Sequence, residues 1–175
     1  KDLRSRLSRI EIACDFINEA LSFIFFSKDR IRLVAEDSKY RIKSKGLPVH
    51  PNKVSIGERN AIALCYFFAN MFVGLRSENR YAPKRLIVID DPVSSFDQGN
   101  RLGIISFLRW QINQIHEGNA ESKCLVMTHD LMTAFDLCKL MSDVLGKNQA
   151  VWLELVGGGI KEHQLSKERN EYLKL

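Results

Sequence analysis

Arg85-Leu86-Ile87-Val88-Ile89-Asp90-Asp91-Pro92-Val93-Ser94-Ser95-Phe96-Asp97 decides how this chain folds. Leu86 to Ile89 is a run of four apolar residues, three of them β-branched, and predicts a strand buried on both faces of a parallel sheet. Two carboxylates arrive at its carboxyl end, the edge where open α/β sheets bind ligands. Adjacent carboxylates at such an edge repel each other and cost stability unless a cation or a chemical role holds them. A phosphate-bound Mg²⁺ is the usual reason. The plainer reading is an acidic turn after a strand, and two further segments weigh against it.

The first, Val54-Ser55-Ile56-Gly57-Glu58-Arg59, lies about 30 residues upstream. Ser55 reads as a helix N-cap and Glu58 as the third helical residue, so the two form a capping box. The helix behind them is expected to run to about Arg76, with an apolar body of Ile62, Leu64, Phe67, Phe68, Met71 and Phe72. A helix start offering backbone N–H groups, a hydroxyl and a glycine suits an anion, although many capping boxes bind nothing. The second segment, Cys124-Leu125-Val126-Met127-Thr128-His129-Asp130, lies about as far downstream and reads as a short strand ending in a histidine. A lone histidine there is more often structural than catalytic. Its expected place at the same sheet edge as Asp90 and Asp91 changes that balance.

The remaining elements follow from periodicity and turn residues. Ser8 to Phe26 predicts a helix, with a basic start at Lys1 to Arg6 where a preceding helix or coiled coil is expected to enter. Ile31–Glu36 and Tyr40–Lys45 predict a hairpin around Asp37-Ser38, followed by a loop from Gly46 to Asn52. Helices are expected from Phe96 to His116 and from Leu131 to Leu145, ended by Gly118-Asn119 and Gly146. Val151–Val156 and Ile160–Leu165 predict a hairpin turning at Gly157-Gly158-Gly159, before a charged tail from Ser166 to Leu175.

At 175 residues and 45% apolar content the chain can form one sizeable domain. No run of 18 apolar residues and no signal peptide occurs, so nothing points to a membrane or to secretion, and a cytoplasmic location is expected. Cys14, Cys65, Cys124 and Cys138 are widely spaced within apolar stretches, which favours reduced core thiols over zinc or disulfides. The net charge is +5. Lys39, Arg41, Lys43, Lys45 and Lys53 nevertheless occur between Ser38 and Gly57 without one acidic residue. On a strand the first four point to one face, about 7 Å apart along it. That face is either a solvated outer surface or a sequence-independent track for a DNA or RNA backbone.

The serine-glycine helix start, the strand with two aspartates and the strand with a histidine, in this order, resemble the second half of an ATP-binding-cassette ATPase head. The resemblance covers about Ile31 to Leu165. Val54–Arg59 matches the signature motif and Leu86–Asp90 the Walker B strand. Asp91 stands at the catalytic carboxylate, Ser94 to Asp97 at the D-loop and His129 at the switch histidine. The wording is closer to the SMC and DNA-repair branch than to transporters, and within it to anti-phage ATPases that accompany anticodon nucleases or the Septu system. The implied fold is α/β: a P-loop NTPase-like head, carboxyl-terminal half, with a mostly parallel sheet flanked by helices and a terminal β-hairpin. Residues 1–30 would be the entering helix and residues 31–175 the lobe itself.

No Gly-x-x-x-x-Gly-Lys-Ser/Thr occurs, and the glycines at 157–159 are not followed by Lys-Ser, so a P-loop is expected from the Walker A half of the same protein. The resemblance then implies ATP as substrate and a second copy of the head, in a homodimer or higher oligomer that sandwiches two nucleotides. Asp90, as an oxygen donor for a hard cation, is assigned to the Mg²⁺ shell through a coordinated water. By resemblance Asp91 would orient or deprotonate the attacking water, and His129 would hydrogen-bond the γ-phosphate and sense its loss. Ser55 and the amide of Gly57, with Glu58 beside them, would meet the γ-phosphate held by the other subunit. Ser95 and Asp97 would line the subunit boundary. Most ATP-binding cassettes carry glutamate where Asp91 stands; the missing methylene predicts a slow or adjusted site, since about 1 Å of misplacement can cost on the order of a hundredfold.

Two classes of function stand open. One is a nucleotide-operated switch controlling a nuclease effector in anti-phage defence; the effector must lie elsewhere, because His50, His116, His129 and His163 do not pair at metal-ligand spacing. The other is a DNA-repair or chromosome-maintenance head. A degenerate head that only dimerises is the non-enzymatic alternative.

Overall fold

The computed structural model describes residues 2–36, 39–75, 77–146 and 149–163. Helix α1 (Asp2–Phe25) leads into a three-stranded antiparallel sheet of β1 (Arg32–Glu36), β2 (Lys39–Ser44) and β3 (Leu47–Val49). Helix α2 (Ile56–Met71) follows. Strand β4 (Leu86–Asp90), helix α3 (Gln98–Gly118) and strand β5 (Lys123–Met127) then form one βαβ unit whose strands pair in parallel, Leu86 opposite Lys123 and Asp90 opposite Met127. Helix α4 (Leu131–Leu145) and the antiparallel hairpin β6 (Trp152–Val156) and β7 (Gly159–His163) complete the chain. The expected α/β layout, flanking helices and terminal hairpin are present; among the described residues the strand pairing is parallel in β4–β5 and antiparallel in the other two sheets, rather than mostly parallel. Asp37-Ser38, the expected turn of the first hairpin, and the tail from Ser166 lie outside the described residues, as does the end of the last strand at Leu165.

The core forms where α1 meets α2, α3 and β1. Ile17, Leu21 and Ile24 of α1 interlock with Phe68 of α2 and with Ile104, Phe107 and Leu108 of α3, all fully buried. Their spacing is that of an apolar stripe on each helix, and each such side chain removed from water contributes about 1.5–3 kcal/mol. Gly103 permits the crossing of α1 and α3: a Cβ there would lie 1.9 Å from the Ile24 carbonyl oxygen. Asn18 of α1 completes the edge of β1, its amide donating to the Leu33 carbonyl at 2.8 Å and accepting from the Leu33 N–H at 2.7 Å.

Three expectations need correction. The β4–β5 pair is covered on one face only. Ile87 and Ile89 enter the core, while Leu86, Val88, Leu125 and Met127, on the opposite pleat, are exposed. Helix α2 stops at Met71 rather than near Arg76, because Phe72 tightens the last turn onto Ala69 and Asn70, and Gly74 (φ +82°) turns the chain away. Arg85 then caps the freed Met71 carbonyl at 3.1 Å. The stretch from Gly46 to Asn52 is not a plain loop. Lys45 (φ +50°) and Gly46 (φ +79°) make a tight two-residue turn into β3, whose Pro48 is tolerated on an edge strand, and Pro51–Lys53 form a 3₁₀ turn.

Candidate active site and its neighbours

Asp91 leaves β4 in the left-handed backbone region (φ +44°), with its N–H bonded to the Met127 carbonyl of β5 at 2.8 Å. Aspartate and asparagine are among the few side chains that accept this conformation readily. The turn swings the Asp91 carboxylate across to the end of β5. There Oδ2 accepts from the Ser94 hydroxyl at 2.6 Å and lies 3.0 Å from His129 Nδ1, while Oδ1 accepts from the Thr128 hydroxyl at 3.2 Å. A carboxylate only accepts, so Nδ1 carries the proton and Nε2 is the ring atom available to a ligand. The His129 side chain is 79% exposed, against 25% for Asp91, so the pair opens to solvent through the histidine. Asp90 is exposed at the strand end, on the same pleat as Leu86 and Val88.

A second cluster forms at the tip of α2. The expected capping box is present: the Glu58 N–H donates to Ser55 Oγ at 3.2 Å, and Glu58 Oε2 accepts from the Ser55 N–H and hydroxyl at 3.1 and 2.9 Å. Burial pushes the Glu58 carboxyl up, but hydrogen bonds from Arg30 and Ser55 outweigh it and hold the group below its ordinary value. Gly57 faces the loop before α3, where a Cβ would lie 3.3 Å from the Ser95 carbonyl oxygen and 3.4 Å from the Phe96 ring. Asp97 caps α3, its Oδ1 accepting from the Asn100 N–H at 2.9 Å and its Oδ2 from the Asn100 side-chain amide at 2.7 Å.

The structure thus gathers the sequence candidates into two groups, Asp91 with His129 and Ser55–Glu58 with Ser95–Asp97. Neither Thr128 nor Arg30 stood out in the sequence. Thr128 follows a strand, and nothing in the residue type separates it from any other threonine. Arg30 precedes β1, and its partners are distant along the chain. Asp130 caps α4 and is bound by Arg101 of α3; hydrogen bonds from Thr133 and then the Arg101 charge keep its carboxyl below the ordinary range. Among the described residues no group of three or more His, Cys, Asp and Glu side chains could hold a metal alone. The exposed Asp90 carboxylate is an oxygen donor of the kind that suits Mg²⁺ beside substrate phosphates and water.

The basic row is partly rearranged. Lys45 belongs to the tight turn after β2 and leaves the strand alternation, and Lys43 pairs with Glu36 at 3.3 Å. Cross-strand pairing adds Arg32 opposite Lys43 and Val34 opposite Arg41 on the same face. Lys39 and Arg41 remain exposed. No described helix is long and apolar enough to cross a membrane.

The AAA domain family model matches residues 1–167. This chain belongs to the AAA domain family. The fold of this AAA domain is that of an SMC ATPase head. A solved structure from work on ATP-driven dimerization and DNA stimulated activation of SMC ATPases superposes with a TM-score of 0.54 at 17% identity, over 94% of this chain and 91% of that one. The SMC head domain from Thermotoga maritima aligns with a TM-score of 0.48 at 18% identity, over 91% and 51% of the two chains. An uncharacterized chromosomal cassette SCCmec type IVc protein of Staphylococcus aureus strain MRSA252 is 32% identical over 56 residues, which is 32% of this AAA domain and 8% of that protein.

Proposed function

We propose that this AAA domain is the carboxyl-terminal lobe of an ATP-binding and ATP-hydrolysing head, working in the cytoplasm. Residues 1–30 carry the entering helix and residues 31–175 the lobe with signature, Walker B strand, D-loop and switch histidine; the Walker A half comes from the same protein. The observation that carries this reading is the contact of Asp91 with His129, made across the ends of two parallel strands, with Asp90 exposed beside it. A strand-end carboxylate–imidazole pair opening to solvent is suited to a water molecule and a terminal phosphate.

In this reading Asp91 accepts the proton of, or orients, the attacking water. Its two oxygens are held by Ser94 and Thr128, so its direction is set before the nucleotide arrives. His129 donates to Asp91 from Nδ1 and turns Nε2 toward the γ-phosphate. Asp90 would hold a nucleotide-bound Mg²⁺, which would supply neutralisation of the phosphate charge. Ser55, the amide of Gly57 and the first turn of α2 bind the γ-phosphate of the partner head, with Glu58 fixing the serine and Ser95 and Asp97 lining the boundary. ATP then joins two heads and hydrolysis releases them; ATP-driven dimerization is the property described for the superposed SMC ATPases.

The head controls a nucleic-acid-directed effector, a nuclease in anti-phage defence, in the same protein or a partner. The closeness of Asp90-Asp91-Pro92-Val93-Ser94-Ser95-Phe96-Asp97 to that branch supports this assignment. The exposed Lys39 and Arg41, with Lys43 and Lys45 near them, offer a DNA or RNA backbone a surface; DNA stimulation of the superposed ATPases favours such contact, and equally a DNA-repair head as the second reading. Asp91→Asn in the full-length protein tests the core of the reading. Asparagine fits the left-handed turn, so ATP-dependent dimers are expected to persist while phosphate release is lost. Unchanged phosphate release would remove Asp91 from the chemistry.

A further inference from the structure

Arg30 stands between the two elements that meet at the tip of α2. Its Nε donates to Glu58 Oε1 at 3.1 Å and its Nη1 to Asn100 Oδ1 at 3.0 Å. Glu58 is the capping-box partner of Ser55, and Asn100 is held by both carboxylate oxygens of Asp97. One guanidinium therefore joins the serine-bearing helix start to the loop that carries Ser95 and Asp97. Arginine alone has the geometry: a planar fork donates in two fixed directions, whereas an ammonium is a single point.

The fork is itself held in place. The guanidinium carbon lies 4.5 Å from the centre of the Phe25 ring, and the Arg30 carbonyl accepts from the Ser44 hydroxyl at 2.9 Å. Asn100 is buried, so loss of its partner would leave a polar group without compensation. Gly57 faces the same loop, and a Cβ there would lie 3.3 Å from the Ser95 carbonyl oxygen. The Arg30 hydrogen bonds join the helix start and the loop through a charged side chain.

We propose that Arg30 is a positioning residue that locks the Ser55 helix tip to the Asp97 loop, so that both reach the partner head's nucleotide in register. This rests on the reading of Ser55 as a γ-phosphate contact in trans. Two groups that must meet one ligand gain from being fixed relative to each other, because the ordering is complete before binding.

The test uses the full-length protein with ATP and Mg²⁺ in the hydrolysis-arrested Asp91→Asn background, reading dimer dissociation constant, nucleotide affinity of the monomer and Tm. Arg30→Met is expected to leave nucleotide affinity unchanged and to weaken dimerisation by about tenfold or more, as the loss of hydrogen bonds to charged groups predicts. Arg30→Lys, which reaches Glu58 or Asn100 but not both, is expected to fall between. Ser55→Arg, which blocks the tip outright, is the control. Normal dimerisation by Arg30→Met alongside failure of Ser55→Arg would overturn the positioning role and leave the head reading intact. Normal dimerisation by Ser55→Arg would overturn the head reading and the Arg30 role with it. If Arg30→Met does not fold, the folded Arg30→Lys decides, and wild-type dimerisation by that variant overturns the proposal.

Discussion

His129 Nδ1 lies 3.0 Å from Asp91 Oδ2, joining the loops that leave two neighbouring parallel strands. The contact depends on the length of the aspartate and on its left-handed backbone. It explains why aspartate suits this position: Ser94, Thr128 and His129 converge on the carboxylate where it stands.

Lengthening this side chain should therefore slow the proposed hydrolysis. Asp91→Glu adds a methylene in a strained turn and pushes the carboxylate past three partners. A loss of phosphate release on the order of a hundredfold is expected for about 1 Å of displacement. Steady-state phosphate release by the full-length protein checks it, and a faster rate would contradict this account of the site.

Gly103→Ala should be among the most damaging single changes in the chain. A methyl group placed against the Ile24 backbone forces α1 and α3 apart through the centre of the core. Overpacking of this kind costs about 1–3 kcal/mol, and more where backbone rather than a side chain must yield. Denaturant midpoints of the variant and wild type measure it. Gly46→Ala, at a site with open space but positive φ, should cost less, because only the turn conformation is penalised.

The α2 cap should make stability acid-sensitive. Glu58 is held below its ordinary carboxyl value in the folded protein, so its contribution is present above the unfolded value, about pH 4.3. That contribution fades as pH falls through the lower folded value. Glu58→Gln is expected to cost about 1 kcal/mol at pH 7 and progressively less toward pH 3. Urea titrations across that range report the difference, and a gap independent of pH would refute the cap as its source.

Lys39 and Arg41 should dominate any contact with nucleic acid, since Lys43 is engaged by Glu36 and Lys45 is turned out of the strand. If both touch backbone phosphates of a duplex, replacing the pair by alanine lowers the slope of log affinity against log salt by about 2. Lys43→Ala should change it less. A salt series of fluorescence anisotropy with a random-sequence duplex separates the cases.

Much of this was legible in the residues. Ile87 and Ile89 mark a strand because β-branched side chains in a run suit a pleated surface, and Ser55 with Glu58 marks a helix start by its spacing alone. The exposure of Leu86 and Val88 was not legible, since a run of four apolar residues looks the same whether one face or two are covered. Strand β3 was hidden by Pro48 and by a length of three residues, too short for periodicity to register. The partners of Asp91 and Glu58 escaped for another reason: hydrogen bonds to Thr128 and Arg30 span 37 and 28 residues, and local pattern carries no record of such encounters.

The outward pleat of β4 and β5 has a consequence for how the molecule is made. Leu86 and Leu125 present oily surface on the pleat that also carries Asp90, 73% and 47% exposed. Apolar side chains left uncovered on a sheet favour association while the chain is folding, so this pleat raises the tendency to clump at micromolar concentrations wherever nothing covers it.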